Sequence, residues 1–227
     1  MASQFRFWIP VYPDIKKPIG GIKQLHRVCE ILNNLNYQCT LVQEDPSFHP
    51  GWFDSNVLTV SKHKWFNELL LKRDRDIIIL PETFLAGVVS IFPSIKKIIF
   101  NQNSSFTFGL PKSKKILSLQ ETIEYYAFSQ ILQVWTVSLH DRKFISSGLR
   151  FPSSRLHLIA NALDYTHSFS HIIPKEKQIA FMPRKNSEDA QVVIALLSNI
   201  PELSEWKFVA IKDSSHSEVI TILQKSL

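Results

Sequence analysis

Two adjacent glycines, Gly20-Gly21, open a helix-period segment shortly after the first apolar run of the chain. Residues without side chains at a helix start let a ligand approach the backbone, and the free N–H groups there attract anions. The same pair can equally make a tight turn into a helix, and it does not match the spaced glycines of dinucleotide-binding loops. Arg184-Lys185 poses the same choice. These cations close a later apolar run and precede Asn186-Ser187-Glu188, a helix start, where they either clamp a diphosphate or form a solvated basic turn. Asn101-Gln102-Asn103-Ser104-Ser105 is a dense row of neutral donors and acceptors. It suits sugar hydroxyls or phosphate oxygens, with Asx-turn chemistry as the competing use. Asn161 and Asp164 end the last apolar run before a polar stretch, where they cap a turn or face a cleft.

Other polar residues point to structural work. Glu82 follows Pro81 at the start of an apolar, helix-like segment, where a carboxylate favours the helix dipole. His140-Asp141 is a neighbour pair, but adjacent helical residues point about 100° apart, so capping is expected rather than an acid/base dyad. Catalytic serine motifs, P-loops and metal-ligand clusters do not occur, and His49 and His63 are isolated. No catalytic residue is assigned, and no metal is expected.

The elements that must position these residues alternate regularly. Phe5–Val11, Tyr37–Gln43, Arg75–Pro81, Lys96–Asn103, Ile131–Ser138 and Arg155–Asn161 are apolar runs of strand length. Between them lie segments of helical period. In the first of these Ile22, Leu25, Val28, Cys29, Leu32 and Leu35 share one face. Helices are also predicted over 63–72, 82–92, 120–128 and 140–149. Runs such as Asp76-Ile77-Ile78-Ile79-Leu80, with no polar alternation, suit parallel strands covered on both faces. This order predicts an α/β fold, a Rossmann-like doubly wound parallel sheet over residues 1–164. A polar stretch over 165–178, punctuated by Pro174, reads as a linker. The rhythm restarts over 179–227 with two strands and two helices, a partial second α/β domain with exposed strand edges. Such edges favour packing on the first domain, a longer protein, or homo-oligomer formation.

Bulk properties exclude several classes. With 44% hydrophobic and 11% aromatic residues over 227 positions, the chain is globular rather than disordered. The formal charge of +6 favours anionic ligands or an anionic membrane face. The basic residues come as scattered pairs rather than one clustered patch, so nucleic acid is not the expected partner. Cys29 and Cys39 lack disulfide-scaffold or metal spacing and are expected to be buried thiols in a reducing compartment. No apolar stretch reaches the roughly 18 residues of a membrane span, and no signal pattern opens the chain. A cytoplasmic location, with peripheral membrane contact allowed, is the expectation.

The order of motifs resembles a known family. GGIKQLHRVCEILNNLNYQCTLV is similar to the first βα unit of GT-B-fold glycosyltransferases of the group 1 (GT4-like) family. LHLIANALD is similar to the segment that closes their first domain. IAFMPRKNSEDAQVVIALL is similar to the opening strand and helix of their nucleotide-sugar domain. The resemblance implies a first, acceptor-side Rossmann-like domain and a second, donor-side one. It implies transfer of a sugar from a nucleotide-diphosphate sugar to a glycan or lipid-linked acceptor, with no cofactor or metal. Gly20 and Gly21 would approach the donor phosphates, Arg184 with Lys185 would neutralise the leaving diphosphate, and Gln102, Asn103 and Asn161 would face the acceptor cleft. The family's Glu-x7-Glu donor signature has no counterpart up to Leu227, so the chain is expected to be truncated before it. A catalytically incompetent remnant, acting as a sugar- or anion-binding or interaction module, is the alternative.

Overall fold

The computed structural model of the chain describes residues 5–72, 74–110, 115–161, 173–183 and 186–226. The chain divides into two compact units, Met1–Ala162 and Leu163–Leu227. The first unit is a seven-stranded sheet in which every pairing is parallel. Its strands are β1 (Arg6–Pro10), β2 (Gln38–Gln43), β3 (Thr59–Ser61), β4 (Asp76–Pro81), β5 (Lys96–Asn101), β6 (Ile131–Thr136) and β7 (Leu156–Leu158). They lie in the order β3-β2-β1-β4-β5-β6-β7. This is the α/β, Rossmann-like architecture predicted from the alternation of apolar runs and helical segments.

Apolar strands bury both faces. On one, Trp8, Val42, Ile78, Leu80, Ile99 and Val134 meet Trp65 of α2 (Lys62–Lys72) and Tyr126 of α3 (Leu119–Tyr126). Ile145 and Leu149, which follow the short α4 (Leu139–Lys143), complete that layer. On the other face, Ile9, Leu41, Ile77, Ile79, Ile98 and Phe100 meet Leu25 and Cys29 of α1 (Gly20–Asn34). Successive residues of β4 from Ile77 to Leu80 thus alternate between two cores, which is why those four carry no polar side chain. Leu35, assigned by spacing to the buried face of α1, is 62% exposed because the helix has ended.

Two helices differ from expectation. Residues 82–87 form a 3-10 turn rather than the first part of an α-helix, and Lys143 passes into a π turn over Phe144–Gly148. Ile91 and Val88 still bond back to Gly87 and Leu85, so backbone groups are satisfied without a regular helix. The three-residue β3 was too short to register as an apolar run. Among the described residues, no helix is long and apolar enough to cross a membrane.

At the amino edge, β1 is held to β4 by Arg6, whose Nε and Nη2 donate to the Asp76 carboxylate at 2.8 and 2.9 Å. Trp8 Nε1 donates to the same group at 3.0 Å. Lys97 is also internal: its Nζ donates to the Phe92 and Ile95 carbonyls at 2.8 and 2.9 Å, and burial lowers its pKa to about 8. It therefore adds no charge to the protein surface. Cys29 and Cys39 are both buried free thiols.

The second unit contains a parallel two-stranded sheet of β8 (Gln178–Phe181) and β9 (Lys207–Ala210), with α5 (Ser187–Ser198) and α6 (His216–Lys225). Ser226 bridges to Glu176 in parallel, and Gln178 Nε2 binds Ile222 O and Ser226 Oγ, so β8 is supported from the end of α6. An apolar groove of about 280 Å³ runs between Ile179, Phe181 and Phe208 of the strands and Val193, Ile194 and Leu197 of α5.

Ile79 is fully buried at the centre of the first unit's sheet. Ile79→Ala is expected to lower unfolding stability by about 2–5 kcal/mol. In urea titration this appears as a lower midpoint at unchanged slope.

Candidate functional site

In the first unit, β1 sits where the chain reverses its direction of sheet growth. From β1 the strands run outward through β2 to β3 on one side and through β4 to β7 on the other. Ligands of open α/β sheets bind at the carboxyl ends of such a switch point. All five residues of β1 pair with β2, and Arg6, Phe7 and Trp8 also pair with β4, so β1 lies between the two halves of the sheet. Tyr12, just beyond β1, packs edge-on against Phe84 of the turn after β4, with ring centroids 5.1 Å apart.

The start of α1 lies at this edge. Its N-cap, Ile19, makes no side-chain capping bond, and no acidic residue stands in the first turn. By contrast, α3 and α6 begin with capping boxes built on Ser118 and Ser215. Free N–H groups at a helix start carry a partial positive charge of about half an electron. A Cβ built on Gly20 would meet nothing within 4 Å, while one on Gly21 would come 3.3 Å from Gln102 Oε1. The two glycines therefore differ. Gly20 faces open space, and Gly21 makes room for a side chain from the loop after β5.

That loop is held from three directions. Gln102 Nε2 donates to the Gly21 carbonyl at 3.3 Å, and the Gln102 backbone N–H donates to Glu82 Oε2 at 3.0 Å. Ser104 donates through its backbone N–H, at 3.1 Å, and through its hydroxyl to Asp141 Oδ1. Asp141 Oδ2 accepts from Ser138 Oγ at 2.6 Å, and Ser138 Oγ in turn caps the Asp141 N–H at 3.0 Å. Asn103 caps the 3-10 turn Ser104–Phe106, accepting from Ser105 N at 3.0 Å, which is the Asx-turn use foreseen for this stretch. Below it, Asn101 Nδ2 donates to Thr107 Oγ1 at 2.8 Å and to the Tyr126 hydroxyl at 3.0 Å.

The two carboxylates differ electrostatically. Burial pushes the Glu82 carboxyl up to about 7, against the opposing pull of the amides of Gln102, Glu82 itself and Asn103, with Asp141 adding repulsion. For Asp141 burial also acts upward, but hydrogen bonds from Ser104 and Ser138 outweigh it and hold the group below its ordinary value. Glu82 is only 4% exposed and is held by backbone amides, its own among them. From the first turn of the 3-10 helix Glu82–Gly87 it also braces the loop after β5.

The structure brings Gly20, Gly21, Gln102 and Asn103 to one edge of the sheet. Asn161, three residues beyond β7, is exposed, and no contact joins it to this group among the described residues. Arg184 and Lys185 lie outside the described residues. Glu82 and Asp141 were missed as parts of the site because their partners are distant in sequence. The available signal was a carboxylate placed at or just beyond the end of a buried strand.

This strand order, with its switch point, defines a Rossmann-like doubly wound α/β architecture. Structural comparison carries this to particular proteins. A glycosyltransferase from Rickettsia africae ESF-5 superposes with a TM-score of 0.60 at 10% identity, over 98% of this chain and 71% of that one. An alpha-glucosyltransferase in complex with UDP superposes with a TM-score of 0.52 at 13% identity, over 97% of this chain and 71% of that chain. An alpha-glucosyltransferase complex with UDP and a 13-mer DNA containing a HMU base matches equally, with a TM-score of 0.52 at 13% identity over 97% and 70%. The chain therefore shares its fold with glycosyltransferases. No family model and no curated protein sequence matches it.

A carboxyl whose folded pKa lies above its unfolded value binds its proton more tightly in the folded state. The stability that Glu82 contributes is complete below its ordinary 4.5 and is lost as pH rises through about 7. His26, lowered to about 4 mainly by burial, has the opposite trend at acidic pH, so the comparison must be made between variants. Relative to Glu82→Gln, the wild type is expected to lose on the order of 2 kcal/mol between pH 5 and pH 8. Urea unfolding at a series of pH values measures this, and parallel profiles would refute the assignment.

Proposed function

We propose that the chain is a GT-B-type glycosyltransferase of the group 1 (GT4-like) kind, which transfers a sugar from a nucleotide-diphosphate sugar to a glycan or lipid-linked acceptor. The observation that carries this reading is the start of α1. It is uncapped, it bears no acidic residue, and it opens with Gly20, around which a Cβ would meet nothing within 4 Å. It follows β1, the strand from which the sheet grows in both directions, on a fold shared with an alpha-glucosyltransferase in complex with UDP.

The chemistry follows from electrostatics. Departure of a nucleoside diphosphate develops negative charge on its phosphate oxygens, and preoriented N–H groups stabilise that charge without reorganising. The first turn of α1 supplies such groups, and Gly20 leaves the backbone open to them. On the same family reading, Arg184 and Lys185 are the cations expected to neutralise the leaving diphosphate. Gln102 sets the position of the helix start through Gly21, and Glu82 sets the position of Gln102. In this reading Glu82 is a positioning residue, and the neutral edge of Gln102 and Asn103 lies on the acceptor side. The donor site needs no resident metal, because helix N–H groups and arginine neutralise the phosphates.

Titration calorimetry with UDP, GDP and their sugar conjugates tests the proposal. Binding of at least one is expected in the presence of chelator. Gly20→Ala meets no clash in the protein, so its unfolding midpoint should stay within error while diphosphate affinity falls roughly tenfold. Arg184→Ala should lower affinity further. A folded sample that binds none of these nucleotides overturns the reading.

A further inference from the structure

We propose that the loop between β2 and β3 binds the pyranose ring of a neutral carbohydrate, at a site separate from the start of α1. This loop, residues 44–58, is closed on itself: Thr59 Oγ1 donates to the Pro46 carbonyl at 2.6 Å across its base. It leaves the carboxyl end of β2, where the amides of Glu44 and Asp45 donate to the Asp14 carboxylate at 3.1 and 2.8 Å. Compact surface loops of this kind are packed by their own side chains and frequently carry function. Here the packing centres on Phe53, which is buried. The rings of His26, Trp52 and His49 stand around it, with centroids 4.9, 4.6 and 6.3 Å away.

Three buried polar atoms of this loop and its supports find no partner among the described residues: His26 Nε2, Gln43 Oε1 and Trp52 Nε1. His26 and Gln43 are 3% and 1% exposed, and each is fixed to the loop by its other polar atom. His26 Nδ1 lies 2.8 Å from Ser55 Oγ, and Gln43 Nε2 donates to the Phe48 carbonyl at 3.4 Å. Burial lowers the His26 pKa to about 4, so its ring is neutral. Unpartnered buried polar atoms are rare, because each has given up its bonds to water. This set holds a donor in the Trp52 N–H, an acceptor in Gln43 Oε1 and a neutral imidazole nitrogen. Hydroxyl groups, which donate and accept at once, satisfy all three.

The outer surface of the loop fits the same ligand. Trp52 is half-buried with its N–H turned inward, which leaves part of its ring at the surface, and His49 and Asp54 are exposed beside it in sequence. The negative face of an indole attracts the C–H face of a pyranose, and a carboxylate accepts from sugar hydroxyls. A small rotation of the Trp52 ring would admit a hydroxyl to the inner atoms. From Glu44 to Ser61 the chain has no lysine or arginine, whereas Glu44, Asp45 and Asp54 are exposed carboxylates. Lys62 lies 3.7 Å from Glu44 and leaves Asp45 and Asp54 to set the charge of the loop. Negative charge of this kind disfavours phosphate esters and nucleic acid. Sugar binding itself is independent of sugar transfer. Its consequence, that the bound ring belongs to a glycan acceptor, rests on the glycosyltransferase reading.

Saturation-transfer NMR and calorimetry of the full chain with maltose, lactose, mannobiose and chitobiose, without any nucleotide, test the site. At least one of these sugars is expected to bind in the millimolar range. Trp52→Ala should weaken that binding about tenfold, and Trp52→Phe, which keeps an aromatic face, should weaken it less. Asp54→Asn should weaken it about threefold. Asp54 is exposed, so its substitution should leave the thermal midpoint in place. If Trp52→Ala lowers the midpoint, Asp54→Asn and Trp52→Phe carry the test. Failure of all four sugars to bind a folded sample overturns the proposal and assigns the inner atoms to ordered water. So does binding that none of the three substitutions changes, or glucose 6-phosphate held more tightly than glucose in a manner that Trp52→Ala abolishes. Titration with UDP and GDP reads the start of α1 separately, so failure of one site is distinguishable from failure of the other.

Discussion

The clamp between β1 and β4 is the constraint on which the first unit depends. The strands are locked at their amino ends, where Arg6 and Trp8 share the Asp76 carboxylate. Burial raises the pKa of Asp76 although Arg6 and Trp8 pull it down, so the clamp is sustained against a desolvation cost. That arrangement fixes where the crevice can be. A sheet that grows in both directions from β1 needs its crossovers on opposite sides, and the uncapped start of α1 lies open at Gly20.

The loop after β5 answers a different physical problem. It carries many polar groups at the rim of two apolar cores, and those groups need partners. Glu82 and Asp141, contributed from beyond β4 and β6, supply them from either side, while Gln102 reaches across to α1. Two buried carboxylates are thus used to hold neutral amides in place. Each neighbouring strand end thus contributes an anchor to the start of the loop, at Gln102 and Ser104.

The legible and illegible parts of the sequence divide along this line. Ile77, Ile78 and Ile79 have no reason to be consecutive unless both faces of a strand are covered, so β4 and the parallel sheet could be read directly. The periodic face of α1 located Leu25 and Cys29 in the core. By contrast, Glu82 looks like a helix-start residue because its neighbour is Pro81 and an apolar stretch follows. Its partner amide is 20 positions away, and no local pattern encodes that distance. Asp141 hides in the same way: its local role as a capped residue is visible, its bond to Ser104 is not. The expected helix after Glu82 failed because tertiary burial of Leu85 and Val88 is satisfied by a tighter turn. Gly20 and Gly21 were legible as a pair, but only coordinates separate the one that faces open space from the one that faces Gln102.

That separation has a consequence for how this chain can change. Position 21 and position 102 share a single volume, since the atoms nearest to an added Cβ at Gly21 all belong to the Gln102 side chain. A methyl group at 21 can be accommodated if residue 102 becomes shorter, but the carbonyl of residue 21 then loses its side-chain donor. The two sites are therefore exchangeable only as a pair, whereas position 20 is free of any such partner within the protein. A lineage that drifts at 21 must record compensation 81 residues downstream, and one that keeps glycine at 20 is answering to something outside the chain's own packing.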